Sequence, residues 1–390
     1  MLCYYVGTKF AHKASASGLI PSIMEWLSTF RDLDWRIAAG GIAAALLAGF
    51  ILKRTLSPRK RLQGQVVVVT GASSGIGREV ARQLALLEGA TVIALARRAE
   101  KLTDLRKEVE DSNNNDKNGS IVPVACDCSS GEDVKQAVKA AGLQKGQVVA
   151  VINNAGTGLW KFLHELDGTD EIHAALRAPI AASLVTTKAF LPMLAKTALR
   201  RQQECSKGMF VLPSAPIPRI LTVTSPASAM PMAGATCYSV SRQALRGFTK
   251  CMRADLRSTG IEAQEVMLGE VSSSYWQNNP GSRKSLPGIA VLLPVLSEEQ
   301  AGGIIVQALA GASSSDVVAP VLALWLTWLH AAMPLVVETV MYSTAPATTL
   351  EAIAASGMAS DENGSEAYLH GGGRRPSSRS STSGDKNKTQ

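Results

Sequence analysis

Three side chains in the middle of this 390-residue chain have the types and spacing to move a proton. Ser225 precedes Tyr238 by thirteen residues, and Arg242 follows Tyr238 by four, one helical turn. A free phenol has a pKa of about 10, so it needs a neighbouring positive charge to act near neutral pH. Arg242 brings such a charge at that spacing. Upstream, Thr70-Gly71-Ala72-Ser73-Ser74-Gly75-Ile76-Gly77 follows the apolar run Gln65–Val69, an order that reads as strand, glycine turn, helix. Gly71 permits the tight turn, Gly75 lets the backbone approach a pyrophosphate, and Gly77 lets the helix pack on the strand. The helix start then offers unpaired N–H groups and a positive dipole end to phosphate.

These elements together, with Asn153-Asn154-Ala155-Gly156, resemble the short-chain dehydrogenase/reductase family. The resemblance covers roughly Gln65 to Ser274, with a weaker continuation to about Ala310. It implies a nicotinamide dinucleotide held by Gly71, Ser73, Ser74, Gly75, Ile76 and Gly77. It also implies that Tyr238 is the general acid/base and that Ser225 hydrogen-bonds the substrate oxygen, while residue 242 holds the nicotinamide ribose. Asn153, Ala155 and Gly156 match the motif that steadies the sheet beside the adenine. Asp127 either contacts the adenine or is a solvated helix cap before Glu132. Gly269 matches the family's Pro-Gly pair, with Leu268 in place of the proline, and Ser273 falls where a threonine often touches the nicotinamide amide.

Two catalytic positions depart from the family. Its usual lysine is Arg242, which keeps the charge but cannot release a proton. Its further asparagine is missing, the best-matching positions being Ala175 or Pro179. Two functional readings follow. One is an oxidoreductase interconverting a ketone and a secondary alcohol on an apolar, lipid- or steroid-like substrate. The alternative is a catalytically weak or inactive nucleotide-binding protein with a regulatory role. Arg97 and Arg98 end the second strand where an acid would hold a bare ribose, so NADP(H) is the expected cofactor, with one of the two arginines facing solvent.

Short apolar runs alternate with amphipathic helices from Gln65 onward, which predicts an α/β fold, a doubly wound parallel sheet of Rossmann type. The expected strands are Gln65–Thr70, Thr91–Ala96, Ile121–Cys126, Gln147–Ile152 and Ile220–Thr224. Helices are expected over Arg78–Glu88, Glu100–Glu110 and Glu132–Ala141, and Lys196–Arg219 reads as a surface insertion. The domain order reads as an N-terminal segment 1–36, a membrane anchor 37–52, a basic linker 53–64 and the catalytic domain 65–315. An apolar membrane-docking or lid segment follows at 316–342, where a packed core helix competes, and a disordered tail at 355–390.

Ile37–Leu52 is uncharged and ends at Lys53-Arg54; a secretory signal, a transit peptide and a core helix are its rival readings. The basic flank places the catalytic domain in the cytosol, on the endoplasmic reticulum membrane or alternatively an organelle envelope. The formal charge of +8 is concentrated in that flank and in the tail, without interleaved aromatics, which argues against nucleic acid. Five scattered histidines and six cysteines without a CxxC pair predict no metal. The expected partners are a small apolar carbonyl or alcohol and a membrane, with a homodimer left open.

Overall fold

The computed structural model describes residues 62–361, apart from 113–118, 145, 157, 207–215, 280–281, 289, 291–292 and 312–314. The expected N-terminal segment, the anchor 37–52, most of the basic linker and the tail beyond 361 lie outside the described residues. The end of that linker belongs to the domain, because Leu62 is fully buried in its core.

The strands are β1 (Val66–Thr70), β2 (Thr91–Ala96), β3 (Ser120–Ala125), β4 (Val148–Asn153), β5 (Arg219–Thr224), β6 (Glu262–Leu268), β7 (Val271–Ser272), β8 (Leu296–Ser297) and β9 (Val317–Ala319). Seven of them form one parallel sheet in the order β3-β2-β1-β4-β5-β6-β9, and β7 pairs with β8 in a small ribbon. The helices are α1 (Gly75–Leu86), α2 (Ala99–Ser112), α3 (Gly131–Gly142), α4 (Gly168–Cys205), α5 (Thr236–Asp255), the short α6 (Tyr275–Asn278), α7 (Glu298–Ala310), α8 (Val321–Ala332), α9 (Pro334–Thr344) and α10 (Leu350–Asp361).

The all-apolar sequence of β1 has a direct cause. Successive strand residues face opposite sides, and here both sides are covered. Val67 and Val69 join a core with Val80 and Leu84 of α1, Leu102 and Leu105 of α2, and Ile305 of α7. Val66 and Val68 join a second core with Val134 of α3 and Phe190 and Leu194 of α4. Winding reverses between β1 and β4, so the helices that follow them, α1 and α4, pack on opposite faces and leave a crevice over the strand ends Thr70 and Asn153. Arg219 opens β5 with only 1% exposure. It donates to Glu262 and to the carbonyls of Ala308 and Leu309, thereby capping the end of α7.

Several boundaries differ from the sequence expectation. The first helix begins at Gly75, not Arg78, because the Arg78 N–H already bonds back to the Ser74 carbonyl at 3.4 Å. Lys196–Cys205 is not a surface insertion but the last part of α4, which continues through Pro192 and buries Thr197 and Ala198. That 38-residue helix is long and apolar enough to cross a bilayer. Its Phe190 and Leu194 are fully buried in the core, so it is a core helix.

The sheet extends past 315, because Val317–Ala319 supplies a seventh strand on β6. The rest of the apolar segment is α8 and α9, bent by 118° at their break. Trp325, Trp328, Leu329, Leu335 and Val336 are exposed on this pair, and its His330 and Glu338 meet across the bend at 3.1 Å. Helix α10 runs through residue 355 to Asp361, past the start expected for the tail.

Candidate active site

The glycine turn leaves β1 with Gly71 at φ +72° and Gly75 at φ +59°, both in the left-handed region. A Cβ at Gly77 would lie 2.5 Å from the Asn154 amide nitrogen, so only glycine lets α1 sit this close to the end of β4. Ser74 precedes α1 without making a side-chain cap, which leaves the first N–H groups of the helix free of a capping hydroxyl. Thr70 Oγ accepts the N–H of Asn154 and of Ala155, each at 2.9 Å, and donates to the Ile152 carbonyl at 3.2 Å. The motif after β4 is thereby fastened to the end of β1.

A cleft of about 1080 Å³ opens over these strand ends. It is lined by Gly71, Ser73, Ser74, Gly75, Ile76, Arg97, Arg98, Asp127, Ala155, Gly156, Ser225, Tyr238, Arg242, Gly269 and Ser273, all expected from the sequence. Gly77 and Asn153 are not on its wall. Gly77 acts through packing, and Asn153 is 2% exposed and donates to Thr187 of α4 at 2.9 Å. Arg97 and Arg98 are both exposed, and Arg98 donates to the hydroxyls of Ser73 and Ser74 at 2.9 and 2.8 Å. Asp127 is not the cap of α3; Ser130 is, accepting the Asp133 N–H. Hydrogen bonds from the Ser129 hydroxyl and N–H hold the Asp127 carboxyl below the usual carboxylate range, with Arg97 and Arg177 adding to the effect.

The hydroxyls of Ser225 and Tyr238 meet. Tyr238 OH donates to Ser225 Oγ at 3.0 Å. The Arg242 guanidinium lies over the Tyr238 ring, 4.8 Å from its centroid, and is 9% exposed. Its Nε is buried without a hydrogen-bond partner. A Cβ at Gly156 would stand 3.2 Å from Pro179 Cβ and 3.3 Å from an Arg242 nitrogen. Pro179 thus shares this corner with Arg242, and neither Ala175 nor Pro179 brings an amide to it.

One wall of the cleft was missed in the sequence. Trp160 stacks on Tyr238 with ring centroids 5.3 Å apart, and Trp276 meets Tyr275 edge-on at 5.3 Å. Trp160 Nε1 donates to Tyr275 OH at 2.6 Å, and Gly158 has no room for a Cβ because that hydroxyl lies against it. Arg177 joins the lining from α4. Adjacent aromatics at 275 and 276, two and three residues after Ser273, were the available signal. Among the described residues no group of His, Cys, Asp and Glu is arranged to hold a metal.

The residues fit a nicotinamide dinucleotide. The unpartnered Arg242 Nε, the two left-handed glycines and the uncapped helix start present donors and backbone to a polar ligand in this cleft. The short chain dehydrogenase family profile matches residues 65–283, and the chain belongs to that family. Over 229 residues it is 31% identical to a protein named 3-dehydrosphinganine reductase from Danio rerio, covering 58% of this chain and 62% of that one, less than two thirds of its length. It is 29% identical over 215 residues to a protein named NADP-dependent 3-hydroxy acid dehydrogenase from Schizosaccharomyces pombe, covering 55% of this chain and 74% of that one. The crystal structure of a short chain dehydrogenase from Burkholderia cenocepacia in complex with NADP superposes with a TM-score of 0.54 at 22% identity, covering 71% of this chain and 97% of that one, a likeness of fold.

Burial pushes the Tyr275 phenol well above its usual range, and Tyr238 beside it adds to the shift. A folded-state value above the unfolded one leaves stability intact below about pH 10 and removes it as pH rises further. Thermal unfolding should therefore show wild type losing more stability between about pH 9 and pH 11 than Tyr275→Phe does. Equal losses in the two proteins would contradict the burial of this phenol.

Proposed function

We propose that this chain is an NADP(H)-dependent oxidoreductase that interconverts a ketone and a secondary alcohol on an apolar, lipid-like substrate. The observation that carries the reading is the Tyr238–Ser225 hydroxyl pair at 3.0 Å with the Arg242 guanidinium over the phenol. A bound nicotinamide dinucleotide would supply or accept the hydride. The chain's own groups handle the oxygen. Ser225 Oγ hydrogen-bonds the substrate oxygen, and Tyr238 gives its phenolic proton to that oxygen in the reductive direction. The Arg242 guanidinium lies over the ring that gives up this proton. It cannot pass on a proton itself, so Tyr238 is reprotonated from water entering the cleft. In the oxidative direction Tyr238 first gives its proton to water, and the phenolate then takes the hydroxyl proton of the alcohol.

The aromatic wall of Trp160, Tyr275 and Trp276 supports an apolar substrate. The name of the Danio rerio relative, 3-dehydrosphinganine reductase, points the same way. Arg98 at the two serine hydroxyls and Arg97 beside it favour a 2′-phosphate. One observation favours the non-catalytic alternative: the corner beside Tyr238 contains Arg242 and Pro179, and neither relays a proton.

The reading includes a membrane surface. The α8–α9 pair turns its apolar side chains outward while His330 and Glu338 pair with each other across the bend. Together with the uncharged run Ile37–Leu52, it would hold the catalytic domain on the cytosolic face of the endoplasmic reticulum or of an organelle envelope.

Three measurements test these statements. NADPH should bind about tenfold or more tightly than NADH, as charge-assisted hydrogen bonds imply; equal affinities by fluorescence titration would remove the 2′-phosphate argument. Tyr238→Phe should lower turnover of a bilayer-soluble ketone by about 10²-fold while NADPH binding survives. Arg242→Lys should retain or raise it, and two silent proteins, wild type and Arg242→Lys alike, would favour the non-catalytic reading. Finally, a version with residues 1–61 removed should float with phospholipid vesicles, and Trp325→Glu with Trp328→Glu should abolish flotation; unchanged flotation would sink the docking role of α8.

A further inference from the structure

Residues 263–268 of β6 are all buried, and apolar side chains would satisfy the packing there. Glu265 nevertheless places a carboxylate in this strand at 3% exposure. Burying that charge is costly unless it is hydrogen-bonded and paired. Its partners surround one site. Thr224 Oγ donates to Glu265 Oε1 at 2.5 Å, and Ser228 Oγ donates to the same oxygen at 2.9 Å. These two residues bracket Ser225, one position before it and three after. The Ser228 N–H also closes the turn onto the Ser225 carbonyl at 2.8 Å. The other carboxylate oxygen faces Arg246 Nε at 3.7 Å. Arg246 lies on α5 one turn beyond Arg242 and two turns beyond Tyr238. The Glu265 N–H is itself held by Asp316 at 2.9 Å, ahead of β9.

We propose that Glu265 is a positioning residue, which holds Ser225 against Tyr238 by tying the turn that carries the serine to the helix that carries the tyrosine. The proposal rests on reading that pair as the reacting hydroxyls. One carboxylate reaches β5, the turn after it and α5 at once, and no apolar side chain could fix all three. Without it, the two hydroxyls lose their common acceptor and Arg246 its charge partner. A relaxation of the turn by a fraction of an ångström is enough to spoil a reacting geometry.

The test uses the full chain in detergent, with Glu265→Gln as the isosteric variant and Glu265→Leu as the complete removal. The first readout needs no turnover. Amide hydrogen exchange across Thr222–Met230 should be about tenfold faster in Glu265→Leu and several-fold faster in Glu265→Gln, with β1 unchanged. Exchange that is unchanged there, or raised equally in β1, overturns the tether. The second readout is kinetic. Glu265→Gln should lower kcat about tenfold and leave the NADPH dissociation constant within about twofold. Combined with Ser225→Ala, it should cost nothing further, because it acts through the serine. Losses that multiply in the double variant overturn the positioning role, since a merely structural defect would add to any other. If wild type turns over no carbonyl, the enzymatic reading fails alone, and the exchange result decides Glu265 by itself.

Discussion

The hydroxyl of Thr70 holds together the two strands between which the winding of the sheet reverses. It is 1% exposed, accepts two backbone N–H groups from the Asn154–Ala155 segment and donates to Ile152. An oxygen with two lone pairs and one proton can do no more. The glycine turn starts one residue after it, and the Asn154–Gly156 segment borders the corner where Arg242 lies. Every group in the cleft is therefore placed relative to a crevice whose mouth this one side chain fixes. A serine could make the same bonds, but valine would remove the acceptor of two backbone N–H groups and the donor to the Ile152 carbonyl.

Much of this was legible in the sequence because it depends on local constraints. The valines of β1 announce a strand covered on both faces, and the glycines announce a turn with left-handed backbone. The spacing of Ser225 and Tyr238 carried over directly, since the strand end and the helix start that hold them are rigid. What escaped depends on contacts far apart in the chain. Nothing near Trp160 indicates that its ring will lie on Tyr238, or that its N–H will meet Tyr275. Three residues, Val317–Ala319, are too few to stand out inside a longer apolar run, and only pairing with β6 makes them a strand. The helical ending of α4 was hidden by polar and basic residues such as Arg200 and Arg201, which suit an exposed helix face as well as a loop.

The charges around the site are arranged in two layers. Arg242 faces the cleft with an unpartnered Nε, while Arg246, a turn further, faces the buried Glu265. Arg246 meets Glu265 through Nε, while its own Nη1 is buried without a hydrogen-bond partner. The aromatic wall opposite supplies a low-dielectric boundary, which strengthens whatever field Arg242 exerts.

The seventh strand bears on how the molecule comes together. Gly269, on the cleft wall, donates its N–H to Ala319 at 2.7 Å, across fifty residues of chain. Strand β1 likewise waits for β4, some eighty residues downstream. A parallel sheet of this kind has high contact order, and its loop-closure entropy must be met before its pairings repay it. During synthesis, the glycine turn leaves the ribosome long before the segment that supplies the last strand of the sheet. A nascent chain stopped short of Ala319 has its glycine turn and its hydroxyl pair in sequence but lacks the edge strand that holds β6 and the Gly269 N–H, so this part of the cleft wall is fixed last.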